Sequence, residues 1–266
     1  MSNDARFTEV VTAIQQQWGP QALRRLAQVT THTDGISTGY AALDRLSGRA
    51  GIPRGALTCL SGRLTSGMTT LALDMLAQAQ AEGEVTIYID ADRTLDPAYV
   101  VKRGIDLNRL LVVWPRPREL GLAITRDIIA GQGAGVVVFD LGHACPGVPP
   151  QPGVARALRA LLLALPRSPY ALVCLSSASG ATASESTASD ALNAEVVSRA
   201  GIHLCVERQQ WLQYDGRVEG YAVQVTALKN KFAPPDQTAT FIASLAPTVS
   251  RQGPAQRQEP AKGRVT

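Results

Sequence analysis

Between Ala56 and Leu175, short apolar runs alternate with segments of helical periodicity, and this alternation constrains the fold more than any other feature of the chain. Parallel strands cannot be joined by a tight turn and need a helical crossover, so the pattern predicts an α/β fold. It predicts a mostly parallel central sheet flanked by helices on its faces. The predicted strands are 56–60, 84–90, 110–114, 135–140 and 170–175, and the predicted helices are 69–82, 97–104, 119–131 and 154–165.

The flanking segments are predicted to differ from this core. The N-terminal segment predicts an amphipathic helix over 7–28 with a break at Gly19-Pro20, followed by mostly loop over 29–56 with a helical turn at 41–46. After the core we expect a helix at 191–199 and strands at 202–208, 221–228 and 238–243, with Asp215-Gly216 as a hairpin turn between two of them.

The C-terminal segment from Ser250 is rich in Gln, Pro and Arg and is predicted to be disordered. We therefore divide the chain into an N-terminal helix and linker (1–35), a core domain (36–246) and a basic flexible tail (247–266).

A glycine-rich loop joins the first predicted strand of the core to the helix after it. The loop runs Gly62-Arg63-Leu64-Thr65-Ser66-Gly67-Met68-Thr69-Thr70, and the phosphate-binding pattern is G-x-x-x-x-G-K-[S/T]. Both glycines and the hydroxyl of Thr69 are in register, but Met68 stands in the lysine position. Backbone N–H groups and the helix N-terminus can still attract phosphate, whereas a thioether cannot supply the missing charge. Arg63 is either a solvated loop residue or a cation that reaches a phosphate.

Charge and composition narrow the classes of function. The chain carries a net charge of +4, and the tail holds Arg251, Arg257, Lys262 and Arg264 against Glu259, a net charge of +3. The core is therefore nearly neutral, whereas a domain with a strong electrostatic footprint for DNA would usually carry more positive charge. The four cysteines lack Cys-x-x-Cys spacing and the three histidines lack ligand spacing, so a zinc site is not expected. No export signal or membrane-length apolar run is visible, and we expect a cytoplasmic protein.

Several segments resemble the RecA recombinases, in order along the chain. The resemblance covers roughly residues 7–245 and includes ISTGYAALDRL…GIPRG before the loop, IDADRTLDPAYVVKRGIDLNRLLV, the run VVVFD, ALKNKFAPP, and the opening IQQQWGP. It implies a RecA-like P-loop NTPase core that binds ATP and Mg. The separate C-terminal domain of typical RecA proteins is expected to be absent.

The resemblance assigns roles to single residues, each beside a plainer alternative. Asp92 stands where the family has a glutamate that activates water, although its side chain is one methylene shorter. Asp96 and Tyr99 match the residues that hold adenine; the plainer alternatives are an N-cap for Asp96 and helix packing for Tyr99. Asp140 matches the acid that, with Thr69, holds Mg, or it caps the next element. Lys229 and Lys231 match lysines that reach a neighbouring subunit's nucleotide, or they are ordinary strand residues.

The chain also departs from the family pattern beyond the lysine. The family has Asn-Gln after the strand at 170–175, where this chain has Ser176-Ser177, and the family's glutamine senses the γ-phosphate. The two segments that match the family's DNA-binding loops, 142–153 and 177–190, contain no lysine or arginine. Single-strand binding normally uses cations and aromatic groups, so single-stranded DNA is expected to bind weakly.

Three functions remain open from the sequence. The first is a RecA-like accessory protein that resembles the branch related to ImuA, which acts in SOS mutagenesis and translesion synthesis. That reading implies a scaffold that binds RecA, an ImuB-like polymerase-family partner or copies of itself. The second is a slow DNA-dependent ATPase that forms filaments on single-stranded DNA. The third is a DNA-binding module that uses its basic tail.

Overall fold

The computed structural model describes residues 3–19, 35–131, 133–142, 153–177 and 191–245. The segments that match the family's two DNA loops fall mainly on residues 143–152 and 178–190, which lie outside this part of the chain. The predicted tail, 247–266, and the second half of the predicted N-terminal helix also lie outside it. Among the described residues, no helix combines the length and apolar character that a membrane crossing requires.

The predicted alternation of strands and helices is confirmed, and most element boundaries shift by no more than two residues. The strands are β1 (Gly35–Ile36), β2 (Ile52–Pro53), β3 (Leu57–Gly62), β4 (Val85–Asp90), β5 (Leu110–Val113), β6 (Gly135–Asp140), β7 (Tyr170–Ser177), β8 (Ile202–Tyr214), β9 (Arg217–Asn230) and β10 (Thr238–Ser244). The helices are α1 (Asn3–Trp18), α2 (Ala41–Ser47), α3 (Met68–Ala81), α4 (Pro97–Lys102), α5 (Leu120–Ala130), α6 (Val154–Ala164) and α7 (Ala191–Arg199).

Eight strands form one sheet in the order β10-β9-β8-β3-β7-β6-β4-β5. The six strands from β8 to β5 are parallel neighbours, and β8, β9 and β10 pair antiparallel. The predicted fold class, a mostly parallel sheet flanked by helices, is therefore confirmed. Because β3, β4, β6 and β7 run in one direction, the segments that follow them emerge at one edge of the sheet, which we call the carboxyl edge.

Alternate residues of each central strand point to opposite faces, and each face is covered by helices. On one face Leu60, Val138 and Val173 pack with residues of α2, α3 and α4. On the other face Leu57 and Phe139 pack with residues of α5, α6 and α7. Burial on both faces explains why these strands appear in the sequence as continuous apolar runs rather than as alternating ones.

Two parts of the chain differ from the sequence prediction. The loop predicted over 29–56 contains, besides α2, a small antiparallel pair in which Ile36 lies opposite Ile52. The last strands are longer than predicted, because cross-strand pairing carries β8 through Tyr214 after its side chains have left the core. Asp215 and Gly216 have φ angles of 47° and 72° and form the predicted hairpin turn.

Candidate nucleotide-binding site

The glycine loop lies at the carboxyl edge, between the end of β3 and the start of α3. Both glycines of the loop are required, because a side chain at either position would come too close to neighbouring residues. A Cβ on Gly62 would lie 2.5 Å from the carbonyl oxygen of Val206, and Gly67 has a φ of 102° with the Tyr221 ring 3.0 Å from the position of a Cβ. The loop therefore brings backbone to the N-terminus of α3, where N–H groups and the helix dipole favour an anion.

The side chains of this loop offer hydroxyl groups but no ammonium group. Met68 begins α3 and packs partly buried against the core, while Thr69 is exposed. The Ser66 hydroxyl is buried and makes no hydrogen bond in the part of the chain that the structure describes. An unsatisfied buried hydroxyl beside two close-packed glycines fits a phosphate cradle. Arg63 is exposed on the loop.

Thr70, in the first turn of α3, is held by two tyrosines from distant parts of the chain. Tyr221 of β9 donates its hydroxyl hydrogen bond to Thr70 Oγ1 over 2.9 Å, and the Tyr99 hydroxyl lies 2.7 Å from the same oxygen. Tyr99 also packs against the main core cluster. Tyr99 is therefore hydrogen-bonded within the chain and packed against the core, and its predicted contact with adenine stays a prediction.

Asp96 acts as the N-cap of α4. Its carboxylate accepts a hydrogen bond of 2.9 Å from the backbone N–H of Ala98, and Pro97 occupies the first helical position. The capping alternative for Asp96 is therefore observed, and the predicted adenine contact stays a prediction.

Asp140 ends β6 directly beside Asp90, the last residue of β4. Its two oxygens accept hydrogen bonds from the Tyr88 hydroxyl at 2.9 Å and from the Gly142 N–H at 3.0 Å. Burial raises the pKa of Asp140 above its ordinary range, and the neighbouring Asp90 and Asp92 add to that rise. A Cβ on Gly142 would collide with the Asp92 carboxylate, so Asp92 lies at the same edge, close to Asp140. Asp92 itself is exposed.

Lys229 and Lys231 lie away from the glycine loop of their own chain. Lys229 pairs across the sheet with His203, which in turn lies opposite Cys59, three residues before Gly62. The Lys229 ammonium donates a hydrogen bond of 2.8 Å to the carbonyl of Ser198, near the end of α7. Lys231 is exposed just after β9. A contact between these lysines and a nucleotide would have to involve another copy of the chain, as the resemblance implies.

The structure therefore brings Asp92 and Asp140 together at the carboxyl edge and joins Tyr99 to the helix that follows the glycine loop. It leaves the two lysines outside this group. Sequence reasoning missed Tyr221, because its contact with Thr70 spans 151 positions and a tyrosine in a strand carries no local sign of such a partner.

Comparisons with known proteins give one consistent relationship. Residues 5–149 match the family model described as RecA N-terminal domain. The protein RecA of Methylococcus capsulatus is 30% identical in an alignment that covers 91% of this chain and 75% of that protein. The protein RecA of Aquifex pyrophilus is 33% identical, with coverage of 91% and 74%. The crystal structure of the RadB recombinase superposes with a TM-score of 0.59 at 22% identity, over 78% of this chain and 95% of that one, which supports the fold.

Proposed function

This chain belongs to the RecA family, and from that relationship we propose that it is an accessory protein of bacterial DNA recombination and repair whose ATP hydrolysis is weak or absent. On this proposal the core serves mainly as a platform for other proteins. We place it beside the branch related to ImuA, in SOS mutagenesis and translesion synthesis. Its partners would be RecA, an ImuB-like polymerase-family protein or further copies of itself.

The observation that carries the proposal is Met68 at the start of α3. The family's lysine in this position places a full charge on the transferred phosphate, and phosphoryl transfer depends largely on such stabilisation. Methionine can only pack, and here it contacts the core. Losing one charge-assisted interaction of roughly 1.5–3 kcal/mol weakens nucleotide binding by about tenfold or more.

The remaining residues fit a bound ATP and Mg in part. The backbone of Gly62 and Gly67 and the Ser66 hydroxyl would hold phosphate. The Thr69 hydroxyl and Asp140 would hold the metal, Asp140 through water. ATP would supply the transferable phosphoryl group when bound. Tyr99 would have to leave Thr70 before it could contact a base, and that exchange would cost one hydrogen bond.

Helix α1 supports the platform role. Phe7 and Val10 are more than half exposed, and Trp18 at the end of the helix is 71% exposed. Aromatic side chains at the surface are typical of protein interfaces. The stretch IQQQWGP resembles the N-terminal segment by which RecA proteins dock on the next protomer. We therefore expect α1 to be the part of the chain that contacts a partner or a second copy.

The deciding experiment is calorimetric titration of the full chain with ATP and magnesium, with hydrolysis followed in the same preparation, with and without single-stranded DNA. We expect weak or undetectable binding and no appreciable turnover. Met68→Lys should raise the affinity by about tenfold or more, whereas Met68→Leu, which changes shape but adds no charge, should leave it unchanged. An unchanged affinity in Met68→Lys would mean that the loop no longer binds phosphate.

A second candidate, a slow DNA-dependent ATPase that forms filaments on single-stranded DNA, is favoured by one feature. Gly62, Gly67 and Thr69 are kept, and Asp140 stands at the same edge of the sheet. Turnover that single-stranded DNA stimulates in the unaltered chain would establish this function, and the scaffold proposal would then be wrong. A cation such as Arg63 would have to replace the lysine in that case.

A further inference from the structure

Strand β10 forms one edge of the eight-stranded sheet and has a strand partner on one side only. The backbone N–H of Leu245 donates to the carbonyl of Glu219, which shows that odd-numbered residues at the end of β10 face β9. Because the direction of hydrogen bonding alternates along an antiparallel strand, the backbone groups of Thr238, Thr240 and Ile242 point away from β9. These three residues are exposed, and no hydrogen bond from the described part of the chain reaches their outward N–H and C=O groups.

The open stretch of this edge has a defined beginning and end. Asp236 has a φ of 60°, in the left-handed region, so the extended backbone begins only after it. At the other end, the outward carbonyl of Ser244 already accepts a hydrogen bond from the Arg103 guanidinium. The open backbone groups therefore belong to residues 238–242, a stretch that is symmetric about Thr240.

The features that normally block pairing at a sheet edge are missing from β10. Its sequence TATFIAS contains no charged residue and no proline, and it pairs residue for residue with β9 without a bulge. Charges, prolines and bulges are the usual means by which edge strands avoid other chains. The opposite edge strand, β5, has four residues and is followed at once by Trp114-Pro115. Of the two edges, β10 is therefore the one that can accept another strand.

We propose that β10 pairs antiparallel with β10 of a second copy of the chain, about a twofold axis at Thr240. In this register Thr240 lies opposite its counterpart, and Thr238 of each copy lies opposite Ile242 of the other. Each of these pairs exchanges two backbone hydrogen bonds. The register uses every outward group of the open stretch and leaves Ser244 to Arg103. A twofold contact of this kind closes the edge and gives a dimer.

The side chains of the open stretch fit a second copy on both faces of the sheet. On one face Ile242, which is 52% exposed, meets a threonine, a favourable cross-strand pair of β-branched residues. On the other face the small Ala239 lies opposite Phe241, whose ring is held by stacking on Tyr40 with centroids 4.1 Å apart. Identical copies do not repel each other here, because the stretch carries no charge. Length, charge and side-chain size therefore match a second copy.

The proposed dimer is separate from the contact expected of α1, and it requires neither nucleotide nor the accessory role. Five residues of edge pairing form a contact smaller than the ~1,200 Å² of stable complexes, so we expect a dissociation constant of about 1–100 μM. Sedimentation velocity of the full chain across that range of concentration measures it. Trp18→Ala, which alters α1, should leave the dissociation constant unchanged, since a contact made through α1 would be weakened.

Charge at the axis tests the register. Thr240→Lys places two ammonium groups opposite each other and should weaken the dimer by about 5-fold or more, and Thr240→Glu should do the same. An equal mixture of the two variants should associate at least as tightly as the unaltered protein. Gln224→Lys is the matched control, because Gln224 lies opposite Thr240 on β9. Its two copies would be about 14 Å apart, beyond the screening length of ~10 Å, so the dimer should be unchanged.

Hydrogen exchange in the unaltered protein gives the direct reading. Raising the protein concentration should slow exchange of the outward amides of Thr238, Thr240 and Ile242, while Ala239 and Phe241, bonded to β9, should be slow throughout. Exchange of the outward amides that stays fast at every concentration would overturn the proposal. So would a Lys–Glu mixture that associates no better than either variant, or equal weakening by Gln224→Lys and Thr240→Lys. Slow exchange at every concentration would mean that another segment of the same chain covers β10, which also overturns it.

Discussion

At the scale of single residues, His203 of β8 contacts both the end of β3, just before the glycine loop, and the neighbouring strand β9. Its Nε2 lies 2.7 Å from the hydroxyl of Ser61, the residue before Gly62, and its strand partner is Lys229. Burial, and after it the charge of Lys229, lower the pKa of His203 below its ordinary value of 6.5. The folded state therefore favours the neutral imidazole.

The lowered pKa of His203 predicts a loss of stability in acid. The unfolded chain binds a proton near pH 6.5 and the folded chain only at lower pH, so the contribution of His203 is fully present above pH 6.5 and is lost as the pH falls through its folded pKa. We expect the melting temperature to fall more between pH 7.5 and 5 in the unaltered protein than in His203→Gln. Glutamine can still bond to Ser61 but does not titrate. Parallel pH profiles for the two proteins would contradict this account.

At the scale of elements, the start of α3 is fixed by hydroxyl groups from α4 and β9. Tyr99 and Tyr221 share one oxygen of Thr70, and Trp211 packs edge-on against Tyr221 with ring centroids 5.4 Å apart. Helix α4 and strand β9, which are distant from each other in sequence, therefore meet at the first turn of α3. The position of that turn is held by the chain itself.

Removing one hydroxyl from this group should cost about 1 kcal/mol, the usual net value of a hydrogen bond. We expect Tyr221→Phe and Tyr99→Phe each to lower the free energy of unfolding by that amount in urea denaturation. Because both bond to Thr70, the double variant should deviate from the sum of the single effects. Tyr214→Phe is the control, since Tyr214 is 72% exposed on the same hairpin and should be neutral. Strict additivity of the two losses would show that the hydroxyls do not act together.

At the scale of the whole molecule, a buried ion pair ties together elements from both ends of the core. Arg103, at the end of α4, is 1% exposed and donates through Nε to Asp74 of α3 over 2.8 Å. The Tyr40 hydroxyl, just before α2, donates to the other carboxylate oxygen at 2.7 Å. Arg103 also donates to the carbonyl of Ser244 in β10. The helices on one face and an outer strand are thereby joined through two charged groups.

Breaking this pair should destabilise the fold strongly. Asp74→Ala leaves the Arg103 guanidinium buried beside an empty position, and removing one partner of such a pair typically costs about 3–5 kcal/mol. We expect a loss of this size in the free energy of unfolding from urea denaturation. Glu195→Ala, which removes the exposed pair with Arg199 on α7, should cost less than about 1 kcal/mol. Similar losses in the two variants would mean that the buried pair contributes no more than a surface pair.

Local sequence patterns were sufficient to predict the helices and strands of the core and the kind of loop that follows β3. Apolar runs and helical periodicity predicted the strands and helices of the core, and the glycine pattern placed the candidate phosphate loop at the end of β3. The replacement of lysine by Met68 is likewise visible without a structure. These signals are local, because a strand, a helix or a glycine turn depends mainly on neighbouring residues.

The set of side chains that meet at that loop became visible with the three-dimensional fold. In the fold, Tyr221 contacts Gly67 and Thr70, and Asp92 lies beside Asp140. Lys229 donates a hydrogen bond to the carbonyl of Ser198. The fold also pairs Arg93 with Trp114 across two strand ends. Contacts between residues so far apart depend on strand order and register, and a sequence pattern of period 2 or 3.6 carries no information on either.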